Sequence, residues 1–213
     1  FRKVEIGAAI RGGRNEVVLR GTFARDTELE SIYLIGDFGV QGRRLREERR
    51  FNGQVFDRYA PDFCLVERPE RVRASDGPRG LALDLTAQGL PFFAGRVTLH
   101  QTIALPSVGG RAVLEIHNLR AAVAHVAVNG RRVGTIAWPP YRVDLGASLR
   151  PGENRIEIEL VGTLRNLLGP HHLSGGDPAR TGPTQFRDKS RWTDDYILVP
   201  FGFGSATLVV LTR

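Results

Sequence analysis

The chain has 213 residues, of which 41% are hydrophobic and 25% charged, and its net charge is +7 at pH 7. This length allows one large or two small domains with a real hydrophobic core. No apolar run approaches the roughly 20 residues of a membrane span. The single cysteine, Cys64, excludes an internal disulfide and is expected to be buried. The basic charge is almost all arginine, and its densest run, 43–50, contains two glutamates and no interleaved tyrosine or tryptophan, so nucleic acid is not a favoured partner.

The first segment of the chain has a counterpart in the second half. Residues 3–15, KVEIGAAIRGGRN, align with residues 142–154, RVDLGASLRPGEN, and six of the thirteen positions are identical. A second similarity relates ESIYLIGDF, from Glu30, to DDYILVPFG, from Asp194, with about 25 more residues between the two similarities in the second copy. Such self-similarity indicates a repeated structural unit. We therefore expect residues 1–40, with a strand at 17–19, to be the last strands of a truncated β-sandwich copy, followed by a connecting segment at 41–62.

Short runs of alternating apolar and polar residues dominate the rest of the chain. They predict strands at 63–66, 81–85, 96–103, 111–116, 123–128, 132–137, 141–144, 155–160, 197–199 and 206–211. Asn129-Gly130 predicts a type I′ hairpin, because both central residues of that turn need positive φ. Pro139-Pro140 lacks ladder donors and predicts a strand edge or a crossover. The pattern predicts an all-β fold, an antiparallel β-sandwich or jelly roll, with residues 63–213 as one complete copy.

One long loop interrupts this pattern of strands. Residues 166–193 are rich in glycine and proline and have no periodicity. Long loops inside compact domains are uncommon and are often functional. The loop contains the extra residues of the second copy, so we expect the distinctive function of that copy to lie here.

Three stretches of the second copy resemble a known group of domains. They are LPFFAGRVTLHQTIALP (90–106), the segment 123–160 with its VAVNGRRVG hairpin and its WPPYRVD and LRPGEN motifs, and NLLGPHH (166–172). These stretches are similar to the non-catalytic, galactose-binding-like jelly-roll domains of large bacterial glycoside hydrolases, in the β-galactosidase/β-glucuronidase and α-L-rhamnosidase-like families. The resemblance covers about 120 residues of the second copy and, through the repeat, the first twenty residues of the chain. It implies a bacterial source, a role in carbohydrate metabolism and a catalytic domain elsewhere on the parent chain, and it leaves secreted, periplasmic and cytoplasmic locations open.

The carboxylates of the chain do not form the pair that glycoside hydrolysis requires. Such a pair flanks the scissile bond about 5–9.5 Å apart. Asp194 and Asp195 are adjacent, and on a strand they would point to opposite faces. We therefore interpret the chain as part of a glycoside hydrolase that holds no catalytic residues itself.

The adjacent histidines of the long loop suggest a metal site at first sight. Asp177, Asp188 and Asp194 are the available carboxylate partners for His171 and His172. Adjacent histidines, however, lack the spacing that brings two imidazoles to one ion. We expect no metal and no cofactor, while a structural calcium bound through backbone carbonyls and aspartate oxygens stays open.

Sugar binding is the chemistry that the sequence favours. Sugars present apolar C–H faces and a rim of hydroxyls, so their sites combine exposed aromatic rings with polar side chains. The two tryptophans lie beside such residues, and the predicted carbohydrate-binding residues are Trp138, Tyr141, His171, His172, Trp192 and Asp195. The predicted partners are an oligosaccharide or glycan and the catalytic domain of the parent chain, with no nucleic acid and no membrane. The alternative is a purely structural interdomain module with no sugar ligand, in which both indoles are buried.

Overall fold

The computed structural model describes residues 3–27, 31–49, 54–77, 79–107, 110–177 and 189–211, and it divides into two units, Phe1–Gly36 and Asp37–Arg213. In the described part of the smaller unit the only helix or strand is a 3-10 helix, Gly7–Ala9, and nearly all side chains are exposed. The strand predicted at 17–19 does not form there. An extended segment becomes a strand only when its backbone N–H and C=O groups form hydrogen bonds with a neighbouring strand. The local sequence does not determine whether such a neighbour is present.

The turn in the smaller unit has the same backbone conformation as its counterpart in the larger unit. Each turn contains a 3-10 helix of three residues, Gly7–Ala9 in one and Gly146–Ser148 in the other. Each then has a glycine with positive φ, +91° at Gly13 and +87° at Gly152. The two segments that match in sequence therefore also match in backbone conformation.

An asparagine side chain closes each of these two turns in the same way. The Oδ1 atoms of Asn15 and Asn154 accept the backbone N–H four positions upstream, at 3.1 and 3.0 Å. Their Nδ2 atoms donate to the backbone carbonyls four and two positions upstream. Asn15 is exposed and Asn154 is buried, so identical local bonds lie in two different environments.

The larger unit is an antiparallel β-sandwich, and its strands account for all ten predicted in 63–213. Its strands are β1 Gly39–Arg49, β2 Val55–Val66, β3 Ser75–Gly77, β4 Gly80–Asp84, β5 Arg96–Leu105, β6 Arg111–Arg120, β7 Val123–Val128, β8 Arg131–Ile136, β9 Arg142–Asp144, β10 Gly152–Val161, β11 Tyr196–Leu198 and β12 Gly202–Leu211. Within the described ranges, a short α-helix, α1, spans Arg165–Leu168, and further 3-10 helices span Thr86–Gln88 and Lys189–Arg191. No helix among the described residues has the length and apolar character needed to cross a membrane.

Two sheets face each other across the core. One has the order β5-β10-β7-β8 and the other the order β3-β4-β12-β6-β9. Val126 on β7, Leu160 on β10 and Leu114 on β6 are among the buried side chains that fill the space between them. Burial alternates along β10 as predicted, because successive side chains of a strand point to opposite faces.

The predicted hairpin and crossover are both confirmed. Asn129 and Gly130, with φ of +52° and +80°, join β7 to β8. After Pro139 and Pro140 the chain leaves the sheet of β8 and enters β9, which belongs to the other sheet. Proline thus stands where the ladder of one sheet ends.

A third sheet, of order β1-β2-β11, occupies the segment that we predicted as a connection. Residues 41–49 and 55–62 form most of β1 and β2, which corrects that prediction. The many charges of 43–49 concealed the strand, because β1 is an exposed edge of its sheet. Residues 55–60 are buried where β2 lies between β1 and β11. Beyond Tyr59 the strand β2 has no β11 neighbour, so Cys64 is exposed, contrary to the expected buried thiol.

Candidate functional site

The two ends of the long loop come together next to β11. Leu173 and Trp192 form an isolated antiparallel bridge, and the Thr193 N–H donates to the His172 carbonyl at 3.0 Å. The Ile197 N–H donates to the His171 carbonyl at 2.7 Å, which attaches the first end to β11. Loop closure thus gathers predicted site residues that lie about 20 positions apart in sequence. Residues 178–188, with the candidate metal ligand Asp188, lie outside the described residues.

Four rings form an aromatic patch, which we define as His171, His172, Trp192 and Tyr196. The Trp192 indole stacks on the His172 imidazole, with ring centroids 4.6 Å apart and planes at 25°. The Tyr196 ring meets His172 edge-on at 4.7 Å and contacts Phe63 at 5.0 Å. His172 covers one face of the indole, and because Trp192 is 61% exposed, the other face is open to solvent.

Both histidines of the patch are held by backbone carbonyls. The Nδ1 atom of His172 lies 3.0 Å from the Thr193 carbonyl, and the Nε2 atom of His171 lies 2.7 Å from the Asn166 carbonyl. A carbonyl only accepts, so each of these nitrogens carries a hydrogen, which leaves Nε2 of a neutral His172 as an acceptor. Burial lowers the pKa of His171, with the Arg165 cation acting in the same direction and the bond to Asn166 opposing it. His171 is therefore a neutral anchor at neutral pH.

Carboxylates lie beside the open indole. The Trp192 Nε1–H donates to Asp194 Oδ1 at 3.3 Å. Asp195, the predicted site residue, pairs with Arg58 at 3.2 Å and keeps part of its side chain exposed. The patch therefore combines an apolar ring face with acceptor oxygens at its edge.

Arg58 is a site residue that sequence reasoning missed. Its nearly buried guanidinium on β2 also donates to the Ser174 carbonyl at 3.1 Å and to Thr193 Oγ1 at 3.3 Å. It therefore connects both ends of the long loop to the third sheet. The available signal was an arginine within the otherwise largely apolar run 55–60, because a charge in such a run needs partners when it is buried.

Trp138 and Tyr141 lie elsewhere, at the crossover from β8 to β9. Trp138 is 76% exposed, whereas Tyr141 packs against the sandwich core and its carbonyl accepts the Ile116 N–H at 2.8 Å. Within the described part of the chain, no ring contact joins either residue to the aromatic patch. The six predicted residues thus occupy two separate places.

The carboxylates of the described residues do not assemble into a metal centre. No group of three or more His, Cys, Asp or Glu side chains among them is arranged to hold an ion. Asp177 instead accepts from Arg165 Nε at 2.8 and 3.0 Å. Burial raises the pKa of Asp57 to about 6 despite its contact with Arg44, yet this carboxyl is 0% exposed and out of a substrate's reach.

The sequence is similar to part of a glycoside hydrolase. Over 101 residues, 45% of the chain, it is 30% identical to a protein of Formosa agariphila described as a putative beta-glucuronidase, and the match spans 8% of that protein. A rhamnosidase from Novosphingobium sp. PP1Y has a similar structure, with 25% identity, a TM-score of 0.41, and coverage of 83% of this chain and 16% of that chain. No protein-family model matches the chain. The chain therefore spans a small part of each relative, and its resemblance to a β-sandwich region associated with glycoside hydrolases is confirmed.

Proposed function

We propose that this chain is a non-catalytic carbohydrate-binding region of a glycoside hydrolase and that it holds an oligosaccharide against the open face of Trp192. The observation that carries the proposal is the state of that indole. It is 61% exposed, yet it is stacked on His172 and its N–H is paired with Asp194. An apolar surface that is both exposed and rigid is more typical of a binding site than of a core.

The chemistry around the indole suits a sugar ring. The C–H face of a pyranose packs on an aromatic face, and its hydroxyls then lie near the ring edge. There the carboxylate of Asp194 supplies an acceptor. Because the patch is anchored through Tyr196 and Phe63, binding orders few side chains.

A structural interdomain module is the second candidate function. Trp138 is 76% exposed, Leu164, which precedes α1, is 56% exposed, and Leu168, the last residue of α1, is 57% exposed. A neighbouring domain of the parent chain that covered these side chains would bury apolar area without any sugar ligand. In the isolated chain both indoles would then be solvated and would not respond to saccharides.

Two single-tryptophan variants separate these functions. In Trp138→Phe, fluorescence reports only on Trp192, and we expect a saturable change in emission with an oligosaccharide from a panel of plant and bacterial glycans. The matched variant Trp192→Phe reports only on Trp138, and we expect a much smaller change. Replacing Trp192 by alanine should weaken binding about tenfold or more, because the stacked ring is lost. A panel without any response in Trp138→Phe contradicts the carbohydrate proposal and favours the interdomain module.

The variant His172→Phe tests the role of the imidazole. It retains a ring beneath the indole and removes the Nδ1 bond to the Thr193 carbonyl. Because His172 lies on the face of the indole opposite to the sugar, we expect the emission maximum of Trp192 and the affinity both to stay close to those of the parent chain. A clear loss of affinity with an unchanged emission maximum would contradict this arrangement.

A further inference from the structure

A small pocket lies at one end of the sandwich and shares no residue with the aromatic patch. It encloses about 180 Å³ and is walled by four connections between strands. Phe93 precedes β5, Arg120 ends β6, Thr163 follows β10, and Phe201 precedes β12. The pocket therefore depends on how the strand ends meet, not on any single loop.

Two phenylalanine rings form the apolar wall of the pocket. The rings of Phe93 and Phe201 are nearly parallel, at 18°, with centroids 6.4 Å apart. Phe201 is buried, whereas Phe93 is 36% exposed and lies at the mouth. A Cβ on Gly162 would lie 3.1 Å from Phe201 Cε1, so this glycine allows the end of β10 to approach the ring. The wall offers a flat apolar surface to a small ring.

Arg120 supplies a positive charge to the same pocket. Its side chain is half-buried, and in the described part of the chain its guanidinium has no hydrogen bond or ion pair. Thr163 adds an exposed hydroxyl, whose oxygen accepts the Arg165 N–H at 3.4 Å and whose hydrogen is free to donate. An unpaired guanidinium offers a fork of donors that matches a carboxylate.

Asn166 holds the walls of the pocket in place. Its Nδ2 donates to the carbonyls of Pro91 and Val199 at 2.9 and 2.8 Å, and its Oδ1 accepts the Val199 N–H at 2.8 Å. This buried amide ties α1 to the connections on either side of the pocket. The pocket is thus formed before any ligand enters, which lowers the cost of binding.

We infer that this pocket binds a monosaccharide-sized ring that carries a carboxylate. The carboxylate pairs with Arg120, the apolar face of the ring lies on Phe93, and a ring hydroxyl accepts from or donates to Thr163. The enclosed volume suits one such ring and is below the several hundred Å³ of pockets for drug-sized ligands. The proposal is independent of the aromatic patch, and each can fail without the other.

Nuclear magnetic resonance titration of the 213-residue chain tests the inference. The probes are methyl β-glucuronide, methyl β-glucoside as the same ring without charge, and acetate as the charge without a ring. We expect saturable shifts of the Arg120, Ala121 and Thr163 amides with the glucuronide, and affinities at least about tenfold weaker for the other two probes. Equal affinity for the glucoside, equal affinity for acetate, or no shift with the glucuronide would each overturn the proposal.

Two arginine variants complete the test. Arg120→Gln removes the charge from the pocket, and we expect glucuronide affinity to fall ten- to a hundredfold. Arg131→Gln removes an exposed charge at the opposite end of β7, beside the hairpin, and we expect unchanged affinity. Thermal unfolding of both variants should match that of the parent chain, and a folded Arg120→Gln that binds as the parent does would refute the role of Arg120.

Discussion

Replacing Asn154 by alanine should destabilise the protein far more than replacing Asn15, although both side chains make the same three local hydrogen bonds. Asn154 is 0% exposed, whereas Asn15 lies in an exposed turn. The Oδ1 atom of Asn154 also accepts from Asn129 Nδ2 at 3.0 Å, and Asn129 Oδ1 accepts the Arg155 N–H at 3.0 Å. The buried amide therefore links its turn to the β7–β8 hairpin.

The magnitude follows from the groups that Asn154→Ala leaves unpaired. These are the N–H and carbonyl of Arg150 and the carbonyl of Gly152. The Asn129 amide loses one acceptor and keeps the Ser148 carbonyl at 3.4 Å. A polar group without a partner and without water costs about 1–3 kcal/mol. Arg150 and Gly152 are exposed, so water reaches some of these groups. If two of these three stay shielded, the free energy of unfolding falls by about 2–6 kcal/mol. At Asn15 water replaces each bond, and we expect a loss below about 0.5 kcal/mol.

Urea unfolding followed by circular dichroism measures both losses. Asn154→Asp serves as a second variant, because it retains the Oδ1 acceptor but places a carboxylate oxygen where Nδ2 donates to two carbonyls. Since burying an unpaired charge is costly, Asn154→Asp should be no more stable than Asn154→Ala, and both should be less stable than the parent chain. A loss below about 1 kcal/mol for Asn154→Ala, or equal losses at Asn15 and Asn154, would refute the argument that burial decides the strength of these bonds.

Three further predictions concern other parts of the larger unit. Burial raises the pKa of Asp57 from 3.8 to about 6, so between these values the folded state holds a proton that the unfolded state releases. The free energy of unfolding should therefore fall by at most about 3 kcal/mol as the pH rises from 4 to 7. Asp57→Asn should remove this fall, which urea midpoints measured at the two pH values would show. An identical pH dependence in both proteins would contradict the prediction. A Cβ at Gly202, where φ is +145°, would lie 2.1 Å from the Leu83 carbonyl oxygen. Gly202→Ala should therefore lower the free energy of unfolding, measured by urea titration, by more than about 2 kcal/mol. An unchanged free energy of unfolding would refute the close packing. Arg58→Met should cost about 1–3 kcal/mol and speed amide exchange at 172–176 and 193–195 without changing β7, and uniform exchange rates would show that Arg58 does not hold the loop.

The strands of the sandwich were predictable because their signal is local. Residues 155–160 alternate charged and apolar side chains, and the structure buries the apolar ones. Asn129-Gly130 forms the hairpin because those two residues tolerate positive φ, a property of the residues themselves. The similarity between residues 3–15 and 142–154 was likewise visible in the sequence. In the structure the two turns share a 3-10 helix and the same asparagine hydrogen bonds.

The third sheet and the smaller unit were not predictable in the same way. Residues 41–49 and 55–62 contain many charges, yet they form β1 and β2, which pair with each other, and β11, more than a hundred residues later, pairs with β2. Residues 17–19 have a strand-like composition and form no strand in the described structure. Cys64 is exposed because β11 ends its pairing at Tyr59. In each case the outcome depends on which other segment supplies the hydrogen-bond partners, and alternation within one segment does not identify it.

The candidate site shows the same division between local and distant information. Local patterns in the sequence predict the all-β sandwich, the hairpin, the crossover and the long loop that contains His171, His172 and Trp192. The folded chain adds the stacking of Trp192 on His172, the contacts of Arg58 with both ends of the loop and the separate position of Trp138. The physical reason is that periodicity and turn preferences act over a few residues, whereas stacking, ion pairing and burial depend on loop closure and on strand partners far apart in the chain.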